Sequence, residues 1–472
     1  MKEMIRDRRQ LLALGILTIM MLLLVLMGTP GREVMIVKAY FWPAAAAMMA
    51  VMGLLLLQKP KVIGFLGIGL SLWFVVCTVA NGDYYLTYNL RFVFAMWMTY
   101  GLCLPLMLVL DGSVREKWLT VFALCYALFM LALSVLCCYA ACTGTQILLP
   151  AMEGAIGIMQ NRLYALCKHP NELGLSMNIA MMCWLYLAMR SRKTPVRLLC
   201  ALALLPLAFA IALTASRTSI IIAALVGGVA AMVLVTEILK KRPEWLRWLA
   251  SSVALVLVTG GMMWTLNAGV PMLLQGHTVL LESHRLIPAA YAEEVPEAVQ
   301  ETAADPTETP KPKKTEDDQL VRRDFGQSFS TFSMRTGIWK VGVEYIQNHP
   351  RVLLLGSTDG QVSRIPRWYL GRNVSHMHNG WLEMLIQTGI PGFVMYLCII
   401  LRMLWAAGRQ FFNLKNPAWQ RILAAAPVVT LLCTLMEIYP CVSGNVMDMM
   451  YMVLAGAVIA LDQKKTTMPD QA

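Results

Sequence analysis

The stretch 211-IALTASRTSIIIAAL-225 sets two long apolar runs on either side of a tight polar turn, with Arg217 as its single charge. Helices that are apolar on every side suit hydrocarbon and not water. Working outward, runs of about 17–24 apolar residues recur, the length needed to cross a bilayer. Spans are expected at 11–28, 36–57, 62–80, 91–110, 119–142, 172–189, 198–214, 218–239, 248–266, 381–404, 422–439 and 446–461. Composition agrees: 58% of the 472 residues are hydrophobic and 14% charged, against about 45–50% and about 25% in a soluble domain. The expected fold is an all-α polytopic membrane protein of about 12 transmembrane helices.

Charge orients the chain. The formal balance of +12 invites a nucleic-acid reading, but the cations sit in short loops between apolar runs. With a cytoplasmic N-terminus, 22 of the 40 lysines and arginines fall on inner segments and six on short outer ones. The other 12 lie in one long outer loop, which is exempt from the positive-inside count. Both termini are therefore expected inside, and no nucleic-acid partner is expected. The N-terminal run LLALGILTIMMLLLVLM reads as a signal anchor. Most of the twelve cysteines, such as Cys103, Cys137 and Cys183, lie within apolar runs and behave as small hydrophobes.

Three parts follow: 1–266 with the first nine spans, the extracytoplasmic loop 267–380, and 381–472 with the last three spans and a cytoplasmic tail. Within the loop, 288–320 is rich in Pro, Glu, Thr and Ala and is expected to be disordered. Residues 332–348 differ, because Met334, Ile338, Val341 and Tyr345 recur at helical spacing with Lys340, Glu344 and Gln347 off that face. An amphipathic helix on the outer leaflet or the bundle is expected.

Polar groups gather at one depth. Arg162, His169, Asn171 and Glu172, then Arg217, Arg335, His376, His378, Asn379 and Glu383, and finally Glu437 and Asp448 all fall near outer helix ends. Charges at that depth line a cavity or bind one another. Arg217 either meets phosphate oxygens with its planar fork or makes a structural ion pair, for instance with Glu437 or Asp448. His378 has three readings: a general base, half of a His-x-His metal pair with His376 that lacks a well-placed third ligand, or a cap for the next helix. Asn379 suits the capping role better. Glu383 lies in the first turn of that helix, where the dipole favours an anion.

Four segments together resemble the O-antigen ligase and O-antigen polymerase superfamily of bacterial envelope glycosyltransferases. They are 161-NRLYALCKHPNELGLSMNIA-180, 214-TASRTSIIIAALVG-227, 333-SMRTGIWKVGVEYIQNHPRVLLLGS-357, and His378-Asn379 followed by Leu382-Glu383 and Gly389-Ile390-Pro391-Gly392. The insert 288–320 departs from the family pattern. The resemblance implies a GT-C-like enzyme of the bacterial cytoplasmic membrane, its active site extracytoplasmic. Its donor would be an undecaprenyl-diphosphate-linked oligosaccharide and its acceptor a glycan, lipid or wall polymer. The same resemblance implies His378 as the base or the group that orients the acceptor, Arg217 and Arg335 at the diphosphate, and Arg162 and Asn171 in the site lining, with Asn379 and Glu383 beside them. Inverting, metal-independent transfer without a cofactor is implied. Ligase and polymerase both stay open, and a transporter of lipid-linked oligosaccharide is the alternative from another class.

Overall fold

The computed structural model describes residues 62–82, 86–149, 154–159, 162–165, 169–269, 328–358, 376–438, 441–442 and 446–466, with isolated positions at 11, 14, 15, 18, 362, 364 and 365. The expected span 36–57, most of 11–28 and the insert 288–320 lie outside the described residues. Among the described residues, nine helices are long and apolar enough to cross a membrane.

In chain order, α1 is Val62–Ala80 and α2 is Leu86–Met96, which continues through a π-helical turn, Trp97–Cys103, into α3, Leu104–Val109. Helix α4, Gly112–Thr143, ends on Gly144 in the left-handed region (φ 67°), the usual glycine stop. Helices α5 (Pro170–Arg190), α6 (Thr194–Leu213), α7 (Arg217–Ile238) and α8 (Glu244–Trp264) follow. After the long loop come α9, Ser328–Asn348, and the short α10, Val352–Leu355. The chain closes with α11, Gly380–Phe412, α12, Ala418–Leu431, and α13, Val446–Thr466. The last of these occupies the expected final span.

Burial sorts the helices. Within one apolar 18-residue stretch of each, 83% of the residues are buried in Phe92–Val109 and 78% in Pro170–Arg190, whereas only 11% are buried in Glu244–Gly269. Helix α5 is thus central, packed on α4, α6, α7 and α12, and α8 lies along α7 at the rim. Leu198, Leu202 and Leu205 on α6, and Val121, Leu124 and Leu128 on α4, are exposed at helical spacing. An outward stripe of this kind is what a lipid-facing surface requires.

One feature was not expected. Between α4 and α5 the chain forms an antiparallel three-stranded sheet of β1 (Ile147–Leu149), β2 (Gly154–Met159) and β3 (Arg162–Tyr164), in the order β1-β2-β3. It places Arg162 opposite Met159 at the start of β3. On α9, Ile338, Val341 and Tyr345 are buried while Lys340, Glu344 and Gln347 are exposed.

The two ends of the bundle differ in chemistry. Helix α5 has 21 residues, about 30 Å at 1.5 Å per residue. At its C-terminal end, Arg190 pairs with Glu116 at 2.5 Å. At the same end Arg115 donates to the Met107 and Leu110 carbonyls, and Arg421 to the Phe411 carbonyl. These cations neutralise helix C-termini, where the dipole favours them. The polar set described next lies at the other end.

Candidate active site

Five separate pieces of chain converge beyond the N-terminal end of α5. The first is that terminus itself. His169 is the N-cap and its Nδ1 accepts the Asn171 amide, while Pro170, which has no N–H to satisfy, occupies the first helical position. The Asn171 side chain is thereby aimed outward. Its Oδ1 accepts from Arg162 Nη2 at 2.6 Å and its Nδ2 donates to Glu437 Oε1 at 2.8 Å.

The second piece is the turn between α6 and α7. Ala215 is held at φ 49°, a strained conformation for a residue with a Cβ. Buried Thr214 offers its carbonyl to Arg162 Nε at 2.9 Å. Ser216 caps α7, and its Oγ accepts from both the Ser219 amide and the Ser219 hydroxyl. Arg217 is the first residue of α7 and is half-buried. Arg162 therefore ties the sheet to this turn and, through Asn171, to the next group.

That group is Glu437, in the turn after α12. Its side chain is 4% exposed, with Arg335 Nη2 at 2.7 Å from Oε1 and His378 Nδ1 at 3.3 Å from Oε2. Burial raises the Glu437 carboxyl. The hydrogen bond from His378, together with the Arg335 guanidinium, outweighs that and holds it below the ordinary carboxylate value. The carboxylate is therefore an anion shared by a guanidinium, an amide and an imidazole. Arg335 and His378 are 24% and 26% exposed. They form the accessible wall of the site, and Glu437 forms its floor.

The fourth and fifth pieces are α9, which carries Arg335, and the loop 376–379. His378 is at φ 51°, in the left-handed region. Its amide donates to His376 Nδ1 at 3.2 Å, and the Met377 amide donates to Glu383 Oε2 at 2.7 Å. Glu383 is 1% exposed, and its Oε1 accepts from Gln387. Asn379 caps α11, its Oδ1 accepting the Trp381 and Leu382 amides. The Gly380 amide donates to the Glu437 carbonyl at 3.0 Å, which fastens this loop to the turn after α12. Asn379 and Glu383 thus shape the loop that presents His378, and both spend their oxygens on the protein's own amides.

Residues 199–397 match the family described as O-antigen ligase. That segment is similar to the O-antigen ligase superfamily. A search of curated proteins returns no match. The O-antigen ligase segment contains Arg217, Arg335, His378, Asn379 and Glu383, while Arg162, Asn171 and Glu437 come from outside it. With its many apolar helices, the protein is a multi-pass membrane protein of the cell envelope.

Glu437 is the site residue that the sequence reading did not single out. It stands there, with Asp448, as one example of an ion-pair partner for Arg217; the structure joins it to Arg335, Asn171 and His378. Its signal was a lone carboxylate beside a membrane helix end, which by default has a partner. Glu437 also brings a third potential ligand to the His376–His378 pair, the three ligating atoms lying within 4.8 Å of one another. The donor set suits an ion pair better than a metal. His376 Nδ1 already accepts a backbone N–H, and a cation at Glu437 would sit against the Arg335 guanidinium.

Proposed function

We propose that the protein transfers a glycan from an undecaprenyl-diphosphate carrier to an acceptor hydroxyl at the outer face of the cytoplasmic membrane. The observation that supports this best is the Arg335–Glu437–His378 arrangement, which sets an anion-binding guanidinium and an oriented imidazole on one accessible wall. The carboxylate at Nδ1 assigns the proton of neutral His378 to that nitrogen and leaves Nε2 as the base, the orienting role a carboxylate has in hydrolytic triads. Distances of this kind tighten when substrate arrives.

The acceptor O–H gives its proton to His378 Nε2, and its oxygen bonds to the anomeric carbon. The bond from that carbon to the diphosphate oxygen breaks, and undecaprenyl diphosphate leaves. Arg335 and Arg217 take up the charge that develops on it. Direct displacement inverts the anomeric centre. The leaving group is already activated, so no cofactor or metal is required, and turnover should survive chelation by EDTA unchanged.

The test is incubation of the reconstituted protein with a lipid-linked repeat unit and no other acceptor, with His378→Ala alongside and products resolved by size. A ladder means a polymerase. Product that forms only after an acceptor is added means a ligase. Translocation of the lipid-linked sugar with no product means a transporter and overturns the reading. His378→Ala should lower turnover by about 10²–10⁴-fold. Full turnover in the folded variant would remove His378 as the base.

A further inference from the structure

The proposed role of Arg335 is to bind diphosphate, yet in this structure an anion already holds it. Glu437 Oε1 accepts from Arg335 Nη2 at 2.7 Å and from Asn171 Nδ2 at 2.8 Å, so one oxygen occupies the place where a phosphate oxygen would meet both donors. The second oxygen faces His378. The main-chain tie of this turn does not depend on the carboxylate, because it is the Glu437 carbonyl that accepts the Gly380 amide.

We propose that Glu437 is an internal anion that the donor's diphosphate displaces from Arg335 and Asn171, leaving its charge to His378 alone. The inference rests on the function proposed above and deepens it. Before a donor binds, the carboxylate keeps a partly buried guanidinium paired, which unpaired would be costly. A diphosphate brings more charge and a bidentate match to the guanidinium fork, so it wins the exchange. Released from two donors, the carboxylate strengthens its bond to the Nδ1–H of His378 and stabilises the imidazolium that forms when the acceptor loses its proton. Donor binding and activation of the base thereby become one event, with Glu437 as a positioning residue acting through His378. Arg162, held on Asn171 Oδ1 at 2.6 Å, keeps that amide's Nδ2 pointed at whichever anion is present.

The experiment measures inorganic diphosphate and undecaprenyl diphosphate binding to the full-length protein in nanodiscs, together with kcat and KM. Wild type, Glu437→Gln and Glu437→Asp are compared. Gln should bind both probes about tenfold tighter, the scale of removing one competing charged hydrogen bond. It should also lower the donor KM while kcat falls about tenfold or more, because the imidazolium loses its counter-ion. Asp, shorter but still charged, should recover much of kcat and bind diphosphate with a smaller gain, and it carries the test if Gln fails to fold. A merely structural role predicts weaker binding and a lower kcat together. Binding by wild type with no gain in either variant overturns this proposal and leaves the proposed function standing. Failure of all three proteins to bind either probe overturns both.

Discussion

His376 and His378 are two residues apart, with ring centroids 4.0 Å apart, yet they are given different work. His376 accepts the His378 amide and is pushed down to about 3, by burial first and by the neighbouring His378 second. Its folded value lies below the ordinary imidazole value, so the folded state binds fewer protons than the unfolded one between them. Stability on its account is full above the ordinary value and is lost as pH falls from about 6.5 toward about 3. His376→Asn should therefore lose less thermal stability than wild type between about pH 7 and about pH 5. The same variant should leave both limbs of the kcat/KM profile between about pH 5 and 9 in place, since His376 stays neutral there. A displaced acid limb in His376→Asn would make His376 the titrating base. At this scale the sequence was informative about residue types: a histidine beside a capping asparagine at a helix start is visible in 375-SHMHNG-380. It did not say which imidazole faces a carboxylate, because that carboxylate is 59 positions from His378.

At the scale of elements, the site hangs on two close approaches that only glycine permits. Helix α11 breaks at Gly389, at φ 64°, and α10 ends on Gly356, also at φ 64°. The Ser357 amide donates to the Ile386 carbonyl at 2.7 Å and Trp73 Nε1 to the Thr388 carbonyl at 2.7 Å. The carbonyls freed by the break are thus satisfied by α1 and by the segment after α10, as backbone at membrane depth requires. A Cβ on Gly356 would stand 2.2 Å from the Gln387 carbonyl oxygen. Gly356→Ala should cost about 2 kcal/mol or more, seen as a lowered midpoint in thermal unfolding in detergent. Helices α5 and α7 meet as closely, where a Cβ on Gly174 would lie 2.5 Å from Ser219 Oγ and 2.6 Å from Ser219 Cβ. Small residues set such contacts in membranes. Gly174→Ala should push the start of α7, with Arg217, away from Asn171 and lower kcat/KM by about tenfold or more, with a smaller effect on folding. An unchanged kcat/KM in that variant would show that the α5–α7 spacing does not position the site. The glycines of 389-GIPG-392 are plain in the sequence, but the span 381–404 reads there as continuous. The break depends on donors from α1 and from the segment after α10, which no local pattern reports.

At the scale of the whole molecule, the bilayer made the helices legible and left their meeting points hidden. A membrane helix must satisfy its own backbone and be apolar over about 20 residues, so composition alone marks it. The sheet Ile147–Tyr164 escaped notice because the stretch between two strong spans reads as a loop, although Ile156 and Ile158 alternate with small residues along β2. Glu437 escaped as a hub because its partners Arg335 and Asn171 lie 102 and 266 positions away. The same global logic yields a test of orientation. The cation-rich end holds the turn between α7 and α8, with exposed Arg242, and the positive-inside rule predicts a cytoplasmic position for it. Gln347 is exposed on α9, the helix whose Arg335 reaches the site at the opposite end. In a cysteine-free background, Gln347→Cys should react with a membrane-impermeant maleimide on intact cells. Arg242→Cys should react only after the membrane is opened. The reverse pattern would put the Arg335–Glu437–His378 set on the cytoplasmic side, where nucleotide-activated sugars and not exported lipid-linked chains are the available donors, and it would overturn transfer at the outer face whatever the chemistry of His378.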